Sequence, residues 1–282
     1  MAATLSRRRV SAGTVGLYAV LVVFAVLYLF PFLIQLGTSF KTDAEATNDP
    51  LNPIPSTWSL DAFRQLADSD YGLWFLNTAL VAVVVTLARL FLDSLAGYAL
   101  ARLHFRGRQA LSAGVIALIA IPPVVLLVPK FLVINQLGMY DAYTGMIIPL
   151  IADAAGIFIM KQFFETIPVE VEEAARIDGA GVFRTFWSVV LPMATPALIT
   201  LTILAFQSSW NELAHMLVSR QSPELATLTV GVAQLVSGEL GAGNRFPLKL
   251  AAALIMTIPV AVVFFVFQKR FVRGATEGGV KG

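Results

Sequence analysis

Three polar groupings interrupt an otherwise apolar chain, and each poses a chemical question. The first is Gln207, Ser208, Asn211, Glu212 and His215 within "FQSSWNELAH". At 100° per residue they fall within an arc of about 140° on a helix, with Trp210 and Leu213 turned away. Amides, hydroxyls and a stackable ring suit a polyhydroxylated solute, and the same groups equally suit interhelical contact inside a membrane. The second grouping is Arg89 and Asp93, four residues apart in "LARLFLDS". Charge at the middle of a long apolar run is costly, so a neutralising intrahelical pair is expected there in preference to a transport role. The third is "EEAARIDGAGVFRTFWSVVLP", residues 172–192, with three acids and two bases between strongly apolar flanks. Bond-making chemistry has no candidates. No nucleophile stands beside a base, and His104 and His215 belong to opposite ends of spans. There is no GxxxxGK[ST] phosphate loop and no metal-ligand spacing. The absence of cysteine removes disulfides and thiolate chemistry.

These groupings must be positioned by membrane helices. Of the 282 residues 57% are hydrophobic and 13% charged, about half the charge a soluble domain uses to cover its surface. Six apolar runs, near 14–37, 73–100, 110–133, 144–164, 191–218 and 246–267, each reach the ~20 residues that a ~30 Å hydrocarbon core requires. The sequence therefore predicts an all-α, multi-pass integral membrane protein of six helices forming one domain over residues 1–282. The first run is too long for a signal-peptide core and lacks a cleavage site, so it is expected to be retained. With an even number of spans both ends share a side. That side carries thirteen bases, including Arg7, Arg8, Arg9, Arg102, Arg108, Arg176 and Lys281, against six on the other, among them Lys41, Lys130 and Arg220. The bias places the N and C termini, and residues 172–192, in the cytoplasm. A net charge of +2 gives no reason to expect nucleic acid. The loop 38–72 then faces outward, proline-rich first and followed by a short amphipathic helix; a second outer loop covers about 219–245. Eight of fourteen prolines lie in or at the ends of spans, where they kink helices around an aqueous path or serve packing.

Residues 169–181 start as a helix by local rules. Pro168 suits the first turn, Glu170, Glu172 and Glu173 sit at the positive end of the dipole, and Glu172 precedes Arg176 by four. Val171, Ala174, Ala175 and Asp178 share a face on which another surface can approach closely, and Gly179 and Gly181 stop the helix. A short rigid knob between two spans is expected to dock a partner. Glu173-Ala174-Ala175, Gly179, and then Val189-Val190-Leu191-Pro192 after nine more residues resemble the EAA motif of the membrane subunits of binding-protein-dependent ABC importers. "PFLIQLGTSFKT" (31–42), residues 75–108, 121–143 and 208–232, and the ending "TEGGVKG" (276–282) are similar to the sugar-uptake branch, and within it to the maltose-type second permease subunit.

That resemblance implies a type I ABC importer permease fold in a prokaryotic cytoplasmic (inner) membrane. It implies as partners a second, non-identical permease subunit, two ATPase subunits, an extracellular solute-binding protein and membrane lipid. The chain itself would be non-catalytic and without a cofactor, ATP and Mg being held by the ATPase subunits. Residues 169–181 would be the coupling helix. Glu173 would pair with a base on the ATPase, Gly179 would turn the chain back, and Ala174, Ala175, Asp178, Leu191 and Pro192 would complete the motif. Maltose-type transporters take most sugar contacts from the partner subunit, and Leu213-Ala214-His215 departs from the bulky apolar continuation usual after "WNE". The expected cargo is a di- or oligosaccharide, with polyols and glycerophosphate-type solutes as alternatives. An ion-gradient transporter using Arg89, Asp93 and Glu212, or a membrane anchor or sensory subunit, would be the rival classes.

Overall fold

The computed structural model describes residues 12–238 and 245–278, with side chains from Gly13 to Gln268 outside that gap. Arg7, Arg8, Arg9 and Lys281 of the charge argument, residues 239–244 of the second outer loop and the last four residues lie outside the described residues. Every described element is helical.

The chain forms two compact units. One gathers the described residues up to Asp68 with Gly238 and 245–255. It begins with α1 (Ala12–Thr38), one apolar helix that Pro31 does not break. Beyond it Lys41 is 2% exposed, its charge met by donation from Nζ to the Asp49 carbonyl at 2.6 Å. α2 (Asp43–Asn48) is N-capped by Thr42, whose hydroxyl accepts from the Glu45 amide at 3.3 Å. The Glu45 carboxylate accepts from the amides of Ser56 (2.5 Å) and Thr57 (3.3 Å), and these bonds, Ser56 first, hold it below the usual carboxylate range. α3 (Asp61–Ala67) is the expected amphipathic helix and buries Ala62 and Leu66; α2 ahead of it carries no such apolar signature.

The other unit holds 69–237 and the chain from Met256. Its axis is α4 (Tyr71–Arg102), 32 residues without interruption. α5 (Arg108–Ile119) and α6 (Leu127–Gln136) follow. α7 (Tyr143–Ile147) runs through a 3₁₀ turn toward α8 (Ala154–Thr166), and α9 (Val169–Ile177) comes next. α10 (Val182–Thr185) leads through a π-helical stretch, Phe186–Val190, into α11 (Leu191–Met193) and α12 (Thr195–Trp210). α13 (Ala214–Ser219), α14 (Leu228–Ser237) and α15 (Phe246–Gly278) complete the chain, α15 beginning in the first unit.

Among the described residues four stretches are long and apolar enough to cross a membrane: Gly13–Thr38, Tyr71–Arg102, Tyr143–Thr166 and Phe246–Gln268. The third and fifth expected spans are not straight. They are bent pairs, Arg108–Ile119 with Pro123–Gln136 at 103° and Val182–Met193 with Thr195–Trp210 at 81°, giving six only if each pair is one crossing. The reason is local. Pro122 and Pro123 supply no amide for a continuing helix, and Pro196, just past the bend at Ala194, has no amide to bond the Pro192 carbonyl one turn back. Pro31 and Pro259 sit inside helices that continue.

α4 packs against α8 and α12. The approach to α8 is closest at Gly97, where a Cβ would lie 2.8 Å from Met160 Cβ and 2.9 Å from the Lys161 nitrogen. Around it Tyr98, Met160, Phe164, Phe186 and Val190 form a buried cluster, each 3% exposed or less. A second cluster joins Val81 and Val85 to Met146, Met216 and Val230. The turn after α6 is pinned by Asp141, which adopts φ 57 and accepts from the amides of Gln221 and Ser222, both at 2.8 Å, and from the Ser222 hydroxyl. Those bonds, the hydroxyl's first, hold its carboxyl low. Gly97→Ala is expected to cost ~1–3 kcal/mol of packing. The unfolding temperature of the purified protein should fall, whereas Gly72→Ala, helical and with nothing within 4 Å of its Cβ, should not lower it.

Candidate functional site

α9 is built as its sequence demands. Pro168 is the N-cap residue with extended ψ (φ −57, ψ 136), and Glu170 and Glu172 occupy the first turn. The helix ends at Asp178, whose amide bonds the Ala174 carbonyl at 3.0 Å. Gly179 then takes φ +79, and the Ala180 amide closes the turn on the Ala175 carbonyl at 2.9 Å. This is a left-handed C-terminal stop, a conformation only glycine adopts without strain. Gly181 does not share that role: at φ −72 it is the N-cap position of α10.

The proposed small face divides. Ala174 and Asp178 are exposed, as are Glu173 and Gly179, while Val171 and Ala175 are half-buried. Ile177 is 86% exposed. Leu191 is half-buried against the Phe186 cluster, and Pro192 is exposed at the break. The inward position on α9 is Glu172, 2% exposed. Its Oε1 forms an ion pair with Arg102 Nε at 3.0 Å, and its Oε2 accepts from Tyr98 Oη at 3.0 Å. The expected partner Arg176 stands at 3.9 Å, so the pairing along the helix is secondary to the one across to α4. Removing one member of such a buried pair costs ~3–5 kcal/mol.

The intramembrane pair is corrected. Among the described residues no ion pair joins Arg89 to Asp93. Arg89 Nε donates to the Leu150 carbonyl at 2.7 Å and Nη1 to Ser208 Oγ at 2.9 Å. Asp93 is fully buried, and its Oδ1 accepts from the Asp153 amide at 3.0 Å. Its Oδ2 lies where a Cβ on residue 156 would have to be, so α8 can approach only because Gly156 is glycine. Leu150 and Asp153 flank the interruption between α7 and α8. Both charged side chains therefore satisfy backbone groups that this interruption leaves open.

The polar arc is also corrected. α12 ends at Trp210, and residues 211–213 separate it from α13, so one helical wheel does not cover Gln207 through His215. Ser208 and Glu212 line a cavity of about 540 Å³ together with Arg89, Lys130 and Asp153, against apolar walls from Leu118, Ile159 and Leu204. Gln207 and Asn211 are exposed and are not in its lining; Asn211 Nδ2 bonds the Gln207 carbonyl at 3.0 Å. His215 is 1% exposed and contacts the Gly145 carbonyl through Nε2 at 3.1 Å. Trp210 is buried, donating to the Met256 carbonyl at 3.0 Å, so its ring is not available for stacking on a solute. Two acids at the cavity also serve the backbone: Asp153 caps the Gly156 amide at 3.1 Å and Glu212 the His215 amide at 2.9 Å.

The family described as "Binding-protein-dependent transport system inner membrane component" matches residues 93–277. The chain belongs to that family. It is 32% identical to an arabinooligosaccharides transport system permease protein of Halalkalibacterium halodurans, covering 92% of this chain and 93% of the relative. It is 36% identical to a sulfoquinovosyl glycerol transport system permease protein of Agrobacterium fabrum, covering 90% and 89%. A crystal structure of a bacterial ABC transporter involved in the import of the acidic polysaccharide alginate superposes with a TM-score of 0.81 at 26% identity, over 96% of this chain and 100% of the solved one. The chain is thus an inner-membrane permease subunit of an ABC importer, and membership implies a binding protein and ATPase partners.

In the permease, sequence reasoning missed Tyr98, Arg102, Lys130 and Asp153. Arg102 entered only as a topology charge and Lys130 as its opposite. Asp93→Asn keeps a carbonyl oxygen for the Asp153 amide, whereas Asp93→Ala leaves that amide unpaired. The alanine variant is expected to be ~1–3 kcal/mol less stable than the asparagine variant, read as a lower unfolding temperature of the purified permease. Equal temperatures would show that this bond does not hold the interruption.

Proposed function

We propose that this permease subunit imports a carbohydrate, working beside a second, non-identical permease, with two ATPase subunits holding ATP and Mg and an extracellular protein delivering the solute. The observation that carries the coupling is α9. Its exposed Glu173, Ala174, Ile177 and Asp178 form a short face, apolar and acidic together, bounded by a left-handed glycine stop. Ile177 at 86% exposure is a side chain that water disfavours and a partner's cleft would cover. With the termini on the cytoplasmic side, α9 meets the ATPase there, and Glu173 pairs with a base in its cleft. ATP binding draws the ATPase subunits together, α9 moves, and the spans exchange inward- for outward-facing states.

The sugar assignment rests on relatives named for arabinooligosaccharides and sulfoquinovosyl glycerol, and on the polar wall of the cavity at Ser208, Glu212 and Arg89. An acidic saccharide is the second reading, favoured by Lys130 on the same wall. An ion-gradient mechanism loses two of its three candidates, because Arg89 and Asp93 bond to backbone on both sides of the α7–α8 interruption, and the third, Glu212, caps the His215 amide. Glu173→Lys and Gly179→Leu should each lower ATP-driven uptake by at least about tenfold, as expected for loss of a coupling free energy of ordinary size, while membrane insertion stays intact. Uptake at the wild-type rate by both variants would overturn the assignment of α9. Melting shifts of the cognate binding protein with neutral and with uronic oligosaccharides separate the two solute readings.

A further inference from the structure

Glu172 and Glu173 are adjacent, and their surroundings are opposite. Glu173 is exposed, whereas Glu172 is enclosed between α9 and α4. One Glu172 oxygen faces Arg102 Nε at 3.0 Å and the other accepts from Tyr98 Oη at 3.0 Å. Arg102 continues the chain of bonds: its Nη2 donates to the Phe164 carbonyl at 2.6 Å and to the Ile167 carbonyl, at the C-terminal end of α8. The Tyr98 ring packs edge-on to Phe164 at 5.8 Å and against Phe186, in the π-helical stretch, at 5.0 Å. A single carboxylate thereby ties α9 to α4, to the end of α8 and, through Tyr98, to the start of the bent fifth crossing.

The covalent ends of α9 offer no such tie. On one side the chain enters through Ile167 and Pro168 in extended conformation, and on the other it leaves through the left-handed Gly179 and the extended Gly181. The bonds of α8 end at Ile167 and those closing α9 end at Ala180, so no helical ladder continues through either junction, and a force applied to the outer face of α9 would rotate a nine-residue helix between two pivots. Force reaches the spans through side chains, and at the inward face the charged contact is Glu172. We infer that Glu172 is a positioning residue that makes α9 move as one body with α4 and α8, so that displacement by the ATPase becomes displacement of the spans. This division assigns docking to Glu173 and transmission to Glu172, and it rests on the coupling role proposed above for α9.

The test uses the complete importer reconstituted in liposomes, measuring solute taken up per ATP hydrolysed for wild type, Glu172→Gln, Glu172→Asp and Tyr98→Phe. Glu172→Gln should lower this ratio about tenfold, within the ~5–150-fold span of typical coupling free energies. Tyr98→Phe, which removes one hydrogen bond and keeps the ring packing, should lower it less, and Glu172→Asp, which keeps the charge, should retain more than Glu172→Gln. A wild-type ratio in both Glu172→Gln and Tyr98→Phe overturns the inference even where assembly yields fall, because Glu172 is then structural only. If Glu172→Gln does not assemble, the Tyr98→Phe ratio alone decides. Wild-type importer that shows no ATP-driven uptake would instead overturn the proposed function itself.

Discussion

Every break in a membrane helix frees backbone groups that hydrocarbon cannot satisfy, and this permease meets that constraint from α4. Several of its polar side chains reach an interruption elsewhere, although Thr86 bonds back to Ala82 within α4. Asn77 Nδ2 donates to the carbonyls of Glu224 and Ala226, both at 2.8 Å, and Thr78 accepts from the Leu228 amide at 2.7 Å, holding the start of α14. Arg89 and Asp93 serve the gap between α7 and α8, and Arg102 serves the end of α8. Even the end of α4 is finished this way, by Arg108 donating to the carbonyls of Leu100 (2.7 Å) and Ala101 (2.9 Å). One unbroken helix carries the groups that permit the others to be broken.

That arrangement explains how charge and mobility coexist in so apolar a chain. A charge whose hydrogen bonds go to fixed backbone is a poor choice for binding and releasing an ion, so Arg89 and Asp93 belong to architecture. The cavity beside them inherits a rigid wall, since Arg89 is held by the Leu150 carbonyl while its other nitrogen engages Ser208 on α12. Side chains pre-set in this way would present polar groups to a solute at the proposed site without paying for their ordering each time. Bending is left to the third and fifth crossings, where proline has already removed the amide that would resist it.

Apolar run length gave the spans, and local capping chemistry gave α9 with its glycine stop, because both depend on contiguous residues. The EAA spacing was legible for the same reason. What could not be read were pairings between distant positions. Arg89 is four residues from Asp93, and nothing nearby in sequence announces that its donors go to Leu150 and Ser208. The arc from Gln207 to His215 assumed a continuous helix, and the break after Trp210 follows from a tryptophan anchored to Met256 and from Glu212 capping a new helix at His215. Those causes lie in tertiary structure, so periodicity is blind to them.

The doublet at 172–173 shows how little sequence separates two opposite environments. Glutamate at 173 is solvated, so its charge needs no partner within the chain and can be kept for another protein. Glutamate at 172 is desolvated, a state that is tolerable only with Arg102 and Tyr98 in place. A residue that must give up water to do its work is bound to its partners far more rigidly than one on the surface. On the proposed division of roles, the exposed acid would engage and release an ATPase through each cycle while the buried acid stays engaged throughout. A rotation of 100° along one short helix suffices to separate a contact that must be reversible from one that must not be.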